Sequence, residues 1–575
     1  MAALTFIFAV FGHYPESIRE LVTNRFADKV IISSPDYMLA GGGLKETFAY
    51  RRNSETDIAV CGVPLQKTKD KYILVRNENL DEVAQNPSKA SSFEGHFVFC
   101  TKRNNTLTVA NDILGFREFY EYTGDGYSII STETRLIAEI IGGFKLNQNW
   151  LATGFLLKVQ LDKESYAHGI TRYCGAEMLQ LKLTENGLNR ERSKLQAPTE
   201  FPKSEEEIKN EIIQLSFPEI EDFQSVISMS GGLDSRFLLS LMKPAKSDLK
   251  AISIGFADHP DNITAAKICK IVGLEHSILD TDDLESYPFT FDDIINYVEG
   301  NRSQSVASEY LFMRLSDYIY NSGLIQIDAG WAEIGRHKLF SKLQYLSKYG
   351  FVKIDKERLY ELLKSSRSMF LDSDLAQHLK ITTLEKADTV IDSYEMNKRY
   401  DLARRLDNFS IDFKISNNIS GKQTLADNTH VSLSPFNQPI MNRALVALTP
   451  NQKFNGKFYK DTIRQTYPEI AKINLIKGSH EIPFNLGTLS SGLYLKLTES
   501  KYRKDYAVEM FRLFGSEIGD YLNSSETLSS GYYNKEIVKN IINNASLGNP
   551  KSCNDLDSLL TFEIFRRSIE SPKKS

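Results

Sequence analysis

The run Val226-Ile227-Ser228-Met229 leads directly into Ser230-Gly231-Gly232-Leu233-Asp234-Ser235, and Arg236-Phe237-Leu238-Leu239-Ser240-Leu241-Met242 leaves it. A β-rich run, a Ser/Gly turn and a helix-like run predict a strand–turn–helix unit. Such a turn aims the N–H groups and the partial positive charge of a helix start at an anion. Gly231 and Gly232 let the backbone approach that anion closely. Ser230 and Ser235 add hydroxyl donors, and Asp234 could hold a metal. No lysine follows, which separates this loop from the phosphate loop ending in Gly-Lys-Ser/Thr.

The rest of the chain is read outward from this unit. From Ser204 onward, strand and helix patterns alternate: a helix over 205–215, strands over 226–229, 251–256 and 324–327, and a helix over 263–272. This βαβ rhythm predicts an α/β domain with a mostly parallel sheet. Before about Leu188 the chain is strand-like, with turns at Asn53-Ser54, Arg103-Asn104-Asn105 and Gly124-Asp125-Gly126. A polar stretch over 189–203, with Pro198 and Pro202, reads as a linker or domain edge. Two domains follow, 1–195 and 204–570. Beyond Phe340 most segments read as amphipathic helix, and the tail 571–575 as disordered.

Composition excludes several classes. The 575 residues are 41% hydrophobic with a net charge of −5. Their basic residues are scattered, and pairs such as Lys398-Arg399 and Arg404-Arg405 read as solvated faces, so nucleic acid is not an expected partner. The apolar start over 4–11 is short and reads as a first buried strand, not a signal peptide. No stretch is long enough to span a bilayer, so no membrane partner is expected. Cys61, Cys100, Cys174, Cys269 and Cys553 lie far apart without metal spacing. Free buried thiols in a reducing cytosol, hence a cytoplasmic protein, are expected.

The pattern SGGxDS resembles the pyrophosphate loop of ATP pyrophosphatases, and other stretches resemble the asparagine synthetase family. In the first half these are Phe93-Glu94-Gly95-His96-Phe97-Val98-Phe99, Ala110-Asn111-Asp112-Ile113-Leu114-Gly115 and Ser131-Thr132-Glu133. The resemblance implies an N-terminal-nucleophile glutaminase fold, an α/β/β/α sandwich, followed by a parallel-sheet nucleotide-binding α/β domain with a helical C-terminal part. A glutaminase of this type needs cysteine as its first mature residue, to supply both thiolate and α-amine. Here the chain reads Met1-Ala2-Ala3-Leu4, the first cysteine is Cys61, and Asn111 stands where the family has arginine. The expectation is a glutamine amidotransferase-like scaffold without glutamine hydrolysis.

In the second half, Ser253-Ile254-Gly255-Phe256 resembles the family's second strand, which places Ile254 and Gly255 with loop residues Ser230, Gly231, Gly232, Leu233, Asp234 and Ser235 at the nucleotide. His276, in Gly273-Leu274-Glu275-His276, reads as structural. In Asp328-Ala329-Gly330-Trp331-Ala332-Glu333-Ile334-Gly335-Arg336, Glu333 stands where the family has a metal-binding aspartate, and Trp331 replaces a glycine. The resemblance implies that Asp234 and Glu333 hold Mg²⁺ on pyrophosphate. Asn437 and Gln438 replace a Leu-Asp pair after Leu433-Ser434-Pro435-Phe436. Lys457, Lys460 and Arg464 lie in a stretch like "K..LR". Lys477 is the candidate for the lysine that neutralises departing pyrophosphate. Leu556 to Phe565 resembles the family's closing apolar helix.

The expected activity is that of an ATP-dependent, AMP-forming amide ligase. It adenylates a small-molecule or peptide carboxylate for attack by ammonia or an amine, with ATP and Mg²⁺ as cofactors. Two alternatives stay open: an intramolecular cyclase of β-lactam synthetase or lasso-peptide cyclase type, and a non-catalytic ATP-binding scaffold. A homodimer is compatible with either reading.

Overall fold

The computed structural model describes residues 4–53, 55–76, 79–280, 289–301, 306–336, 353–398, 401–498, 502 and 504–572. Met1, Ala2, Ala3, Ser54, Arg399 and the tail residues 573–575, which figure in the sequence reading, lie outside them, as does the stretch 337–352 beyond Arg336.

The first half contains two antiparallel sheets. One runs, in spatial order, Ile170–Tyr173, Phe119–Thr123, Tyr127–Ser131, Phe6–Gly12, Tyr37–Gly42 and Val30–Ser33. The other runs Gly187–Lys194, Glu177–Thr184, Thr106–Asn111, Glu94–Arg103, Thr56–Lys67 and Phe48–Arg52, with Tyr72–Leu74 beside Thr56–Lys67. Alternation of apolar residues gives each sheet two buried faces. Ile7, Ala9, Phe11 and Leu39 meet Cys61, Val98, Val109 and Leu179 between the sheets. The helices Glu16–Arg25 and Thr134–Ile141 cover the outer face of the first sheet through Val22, Leu136 and Ile137. The helix Asn79–Gln85 covers the second through Leu80 and Val83. The expected α/β/β/α layering is present. The strand Phe6–Gly12, buried throughout, is the expected apolar start.

The second half is built on five parallel strands in the order Glu275–Asp280, Lys250–Gly255, Gln224–Ser228, Leu324–Ile327, Val431–Leu433. The chain begins in the middle, steps outward twice on one side, then crosses to the other. Gln224–Ser228 and Leu324–Ile327 are therefore the neighbours whose onward connections diverge. A crevice opens at the carboxyl ends of such a pair. Both loop 230–235 and segment 328–336 leave the sheet there.

Two sequence expectations need correction. The strands do not end near Leu188: Gly187–Lys194 pairs along its length with Glu177–Thr184. Its residues are mostly exposed and polar, so it carries no apolar alternation to read. The linker begins only after it, and ends at Ser204, whose hydroxyl accepts from Glu207 N at 3.2 Å in a capping box that opens the helix Glu205–Ser216. Strands Glu275–Asp280 and Val431–Leu433 also escaped the pattern reading. Beyond them the C-terminal part is mainly helical, as expected, and ends in Pro550–Glu570. Among the described residues no helix is long and apolar enough to cross a membrane. All five cysteines are buried and free.

The halves are joined by buried polar groups around Asp427. Thr5 and Thr47 donate their hydroxyls to Asp427 O at 2.7 and 2.8 Å, and Thr5 N donates to Asn428 Oδ1 at 2.7 Å. His96 Nε2 lies 2.8 Å from Asp427 Oδ1, and Arg117 Nε 3.5 Å from Oδ2, with Asp427 and Arg117 both 0% exposed. Gln438 accepts from Gly95 N at 2.5 Å and Glu94 from Ile440 N at 3.3 Å. Thus Gln438, one of the positions where the sequence departs from the family pattern, serves the junction.

Candidate functional site

Loop 230–235 is held in shape by its own side chains. Ser230 Oγ and Ser235 Oγ are 2.8 Å apart, Gly232 N donates to Ser230 Oγ at 3.2 Å, and Ser235 Oγ donates to Ser230 O at 3.0 Å. Gly232 is the extended residue before the helix Leu233–Ala245, with no side chain capping that helix start. The helix N–H groups there remain available to an anion. Gly231 N donates to Asp261 Oδ1 at 2.9 Å. A Cβ on Gly231 would lie 2.5 Å from Ile476 Cγ1, so this glycine is required by packing.

A second segment is latched onto the loop. Ile476 N donates to Gly231 O at 2.9 Å, and the buried Arg236 donates to Gly231 O at 2.9 Å, Ile473 O at 2.8 Å and Ile470 O at 3.1 Å. Burial pulls the Arg236 guanidinium down to about 10, Asp261 opposing. The result carries the hairpin Leu475–Lys477/His480–Ile482 to the loop. Ile476 makes the contact. Lys477 follows it, exposed, and alternation along a strand points it to the other face.

Segment 328–336 supplies the opposite wall. Asp328, half-buried, accepts from Gly330 N at 2.6 Å, and desolvation raises its carboxyl above the usual range. Trp331 sits at φ +68°, the left-handed region that favours glycine, so the backbone keeps a glycine-like turn although the residue is tryptophan. The turn Ala332–Arg336 follows. Tyr459 pins it by donating to Ala332 O at 2.7 Å, while stacking on Phe237 of the loop's own helix at 4.0 Å.

This turn brings Arg336 to Asp234. The guanidinium Nη2 donates to Asp234 Oδ2, the two side chains being 15% and 20% exposed. Burial disfavours the Arg336 charge, but Asp234 and then Glu333 outweigh it and raise its pKa. Asp234 Oδ1 and Arg336 Nε are both buried without a hydrogen-bond partner. Nearby, Lys460 donates to Leu486 O at 3.1 Å; burial, with repulsion from Arg464 and Arg336, lowers it to about 8.

The remaining candidates lie at the same sheet edge. Gly255 ends its strand at φ +120°, and a side chain there would strike the Tyr506 hydroxyl. Ile254 O accepts from Asn262 Nδ2 at 3.2 Å. His276 Nε2 lies 2.8 Å from Ser253 Oγ, which donates to Met229 O at 2.8 Å, and burial lowers its pKa. His276 thus braces the strand behind the loop. Asp234 and Glu333 are brought together, but around Arg336. A divalent ion on Asp234 would face this guanidinium. Two unit charges 4 Å apart at an effective dielectric near 20 interact by about 4 kcal/mol, and a divalent ion doubles that. Among the described residues no group of three or more His, Cys, Asp and Glu side chains could hold a metal. The arrangement does not fit a divalent cation on Asp234.

Sequence reasoning gave no role to Arg236, Tyr459 or Arg336, and placed Asp261 only within a stretch resembling the family's nucleotide pocket. Of the first three, only Arg336 carried a signal, as a cation closing the motif that supplies Glu333.

A Ser/Gly anion loop and a helix start, opposite a cationic turn at the switch point of a parallel sheet, define a nucleotide-binding α/β unit. Residues 221–319 match the family model described as asparagine synthase, and the resemblance read from the motifs holds there. That family is one of ATP-utilising amide ligases. No curated protein matches the chain. Among solved structures, the glutamine phosphoribosylpyrophosphate amidotransferase from B. subtilis complexed with ADP and GMP is 9% identical, with 56% of this chain and 81% of that one covered and a TM-score of 0.22. An allosteric regulatory enzyme of purine biosynthesis is 11% identical (48% and 64% covered, TM-score 0.20). The NH3-dependent NAD synthetase from Campylobacter jejuni subsp. jejuni NCTC 11168, in complex with nitrate, is 17% identical (32% and 93% covered, TM-score 0.17).

Proposed function

We propose that the chain is an ATP-dependent ligase that activates a carboxylate as its adenylate and passes it to ammonia or an amine. The observation that carries this reading is the loop 230–235, a Ser/Gly turn that opens into a helix start with no side-chain cap, with Arg336 beside it on Asp234. In the first step a carboxylate oxygen attacks the α-phosphorus and the α–β bridging bond breaks, releasing pyrophosphate. In the second the amine nitrogen attacks the acyl carbon, loses a proton, and AMP leaves. The loop N–H groups and Ser230 and Ser235 would receive the phosphates. Gly255 and Ile254 would line the nucleotide. Arg336 and Lys460 are the cations nearest the loop for charge on the leaving group, while Lys477, the sequence candidate, lies on the far face of its strand; fixed cations need no reorganisation as that charge develops.

The first half supplies no thiol for glutamine hydrolysis among its described residues. Cys61, Cys100 and Cys174 are buried, and burial raises each thiol, Cys100 to about 12. In this reading the ammonia or amine is supplied from outside the first half. The two-carboxylate Mg²⁺ clamp expected from the sequence is not carried into this reading, because Arg336 occupies Asp234.

The test is AMP and pyrophosphate formation by the purified chain with ATP, supplied either with aspartate plus ammonium or with a filtered extract of the source cells. Asp234→Ala is the control. AMP made only by the parent protein supports adenylation, and the dependence on additive names the substrate class. Equal AMP from parent and Asp234→Ala, or none from either, removes the reading.

A further inference from the structure

The pair Asp234–Arg336 has donor and acceptor capacity in reserve. A guanidinium offers five N–H donors in a fixed fork, and here one of them, Nε–H, is buried without a partner. The carboxylate likewise has Oδ1 unused. Arg336 cannot swing away freely. Its turn is pinned by the Tyr459 hydroxyl, and Gly456, at φ +68°, leaves room for Leu233 and Arg336 to close over it. A Cβ on Gly456 would stand 3.0 Å from Leu233 Cδ2 and 3.7 Å from Arg336 Cδ. The guanidinium thus has a built position at the mouth of the loop, 15% exposed, on the carboxylate that the sequence assigns to a metal.

We infer that Arg336 stands in for a loop-bound divalent cation. It is held by Asp234 and donates to phosphate oxygens, so that the site takes pyrophosphate, and the β- and γ-phosphates of ATP, without a metal on Asp234. This rests on the ligase reading above and adds a specific departure from metal-dependent phosphate binding. Arginine suits the role because its planar fork can engage a carboxylate and a phosphate at once, and its charge does not titrate.

The experiment is calorimetric titration of inorganic pyrophosphate, and separately ATP, into the full-length protein, once in EDTA and once in Mg²⁺. Arg336→Met and Arg336→Lys are compared, with thermal melting to confirm that each folds. The parent is expected to bind pyrophosphate in EDTA within about threefold of its affinity in Mg²⁺. Arg336→Met should lose at least about tenfold in EDTA, a charge-assisted pair being worth roughly that much. It should recover part of the loss in Mg²⁺, because Asp234 is then free for the ion. Arg336→Lys should fall between the two, keeping the charge but not the fork. If Arg336→Met does not fold, an Arg336→Lys loss confined to EDTA carries the test. Pyrophosphate binding that requires Mg²⁺ in the parent, or that is equal in parent and Arg336→Met, overturns the inference and leaves the ligase reading standing. No binding of either pyrophosphate or ATP in either buffer overturns both.

Discussion

Two carboxylate–arginine pairs divide this molecule's labour. Asp427 and Arg117, at the junction of the halves, are both 0% exposed, while Asp234 and Arg336, at the sheet edge, are 20% and 15% exposed. The chemistry is the same, and the surroundings decide what it does. Around Asp427 the partners arrive from separate parts of the first half: Thr5, Thr47 and His96 share one residue's carboxylate and carbonyl with Arg117. No ligand can reach that cluster, so its charges serve only to hold the two halves in register. Around Asp234 a fraction of each side chain remains open and an uncapped helix start lies beside it, whereas buried unpartnered atoms occur in both pairs and do not separate them. A buried pair of this kind is a joint, and a partly open one is a receptor.

The largest effect that could break this comparison is on stability. Removing one partner of a buried pair leaves the other charge stranded, at about 3–5 kcal/mol. Asp427→Ala should therefore lower the unfolding free energy by that amount in urea denaturation, with Arg117 and His96 left unpaired. Asp234→Asn should cost clearly less, because that pair is partly open and the amide oxygen can still accept from Arg336. Equal losses at both positions would mean that the sheet-edge pair is also a joint, and the receptor reading of Arg336 would lose its basis.

Next in size is the packing of the loop against its latch. Gly231→Ala puts a methyl against Ile476 Cγ1 at 2.5 Å. Overpacking of this kind costs about 1–3 kcal/mol. Here it should appear chiefly as weaker nucleotide binding, because the backbone that must shift is the anion loop itself. The double variant Gly231→Ala/Ile476→Ala should recover most of the affinity. Failure of that rescue would indicate that the glycine acts through its backbone freedom and not through the Ile476 contact.

What could be read from the sequence follows the same division. The loop 230–235 was legible because its strand, turn and helix are contiguous, and Leu324–Ile327 and Glu205–Ser216 were legible by period and cap. Asp427 was not, because its partners across the junction are remote in the chain, His96 by 331 and Thr5 by 422 residues, and nothing local marks an interior aspartate. Arg336 stands 102 residues from Asp234, and its place depends on a turn pinned by Tyr459 from a still later helix. Gly187–Lys194 went unread because backbone pairing, not burial, makes it a strand. Lys477 shows the converse limit. Its motif fixes which residue to watch, but the hairpin's alternation decides that Ile476 touches the loop.

A smaller effect separates the two regions by pH at the sheet edge. Lys460, lowered to about 8 by burial and by its arginine neighbours, loses its proton as pH rises from about 7 to 9. Pyrophosphate affinity should fall over that window by up to about tenfold, one charge-assisted bond's worth. Lys460→Arg, charged throughout, should flatten the fall. An unchanged profile in that variant would place the titrating group outside the crevice.

The joint is tested by the same means through one buried carboxyl at the seam. Glu94 accepts from Ile440 N across the junction, and burial first, with Glu211 adding to it, pushes its carboxyl up to about 8 from an ordinary 4.5. A folded pKa raised above the unfolded one means that the native state holds the extra proton. Glu94 therefore favours folding fully below about pH 4.5, and that contribution is lost as pH rises towards 8. The slope from one such group is at most about 1.4 kcal/mol per pH unit. Asp112, raised to about 6, and Asp557, raised to about 7, add slopes of the same sign over narrower windows, both through burial. Urea midpoints measured from pH 5 to 8 should fall for the parent, and less steeply for Glu94→Gln, which keeps the uncharged shape at every pH. The two curves should lie closest at pH 5 and separate towards pH 8, with the variant the more stable. Parallel curves would show that Glu94 is ionised in the folded protein, and that the junction tolerates a buried charge there as it does at Asp427.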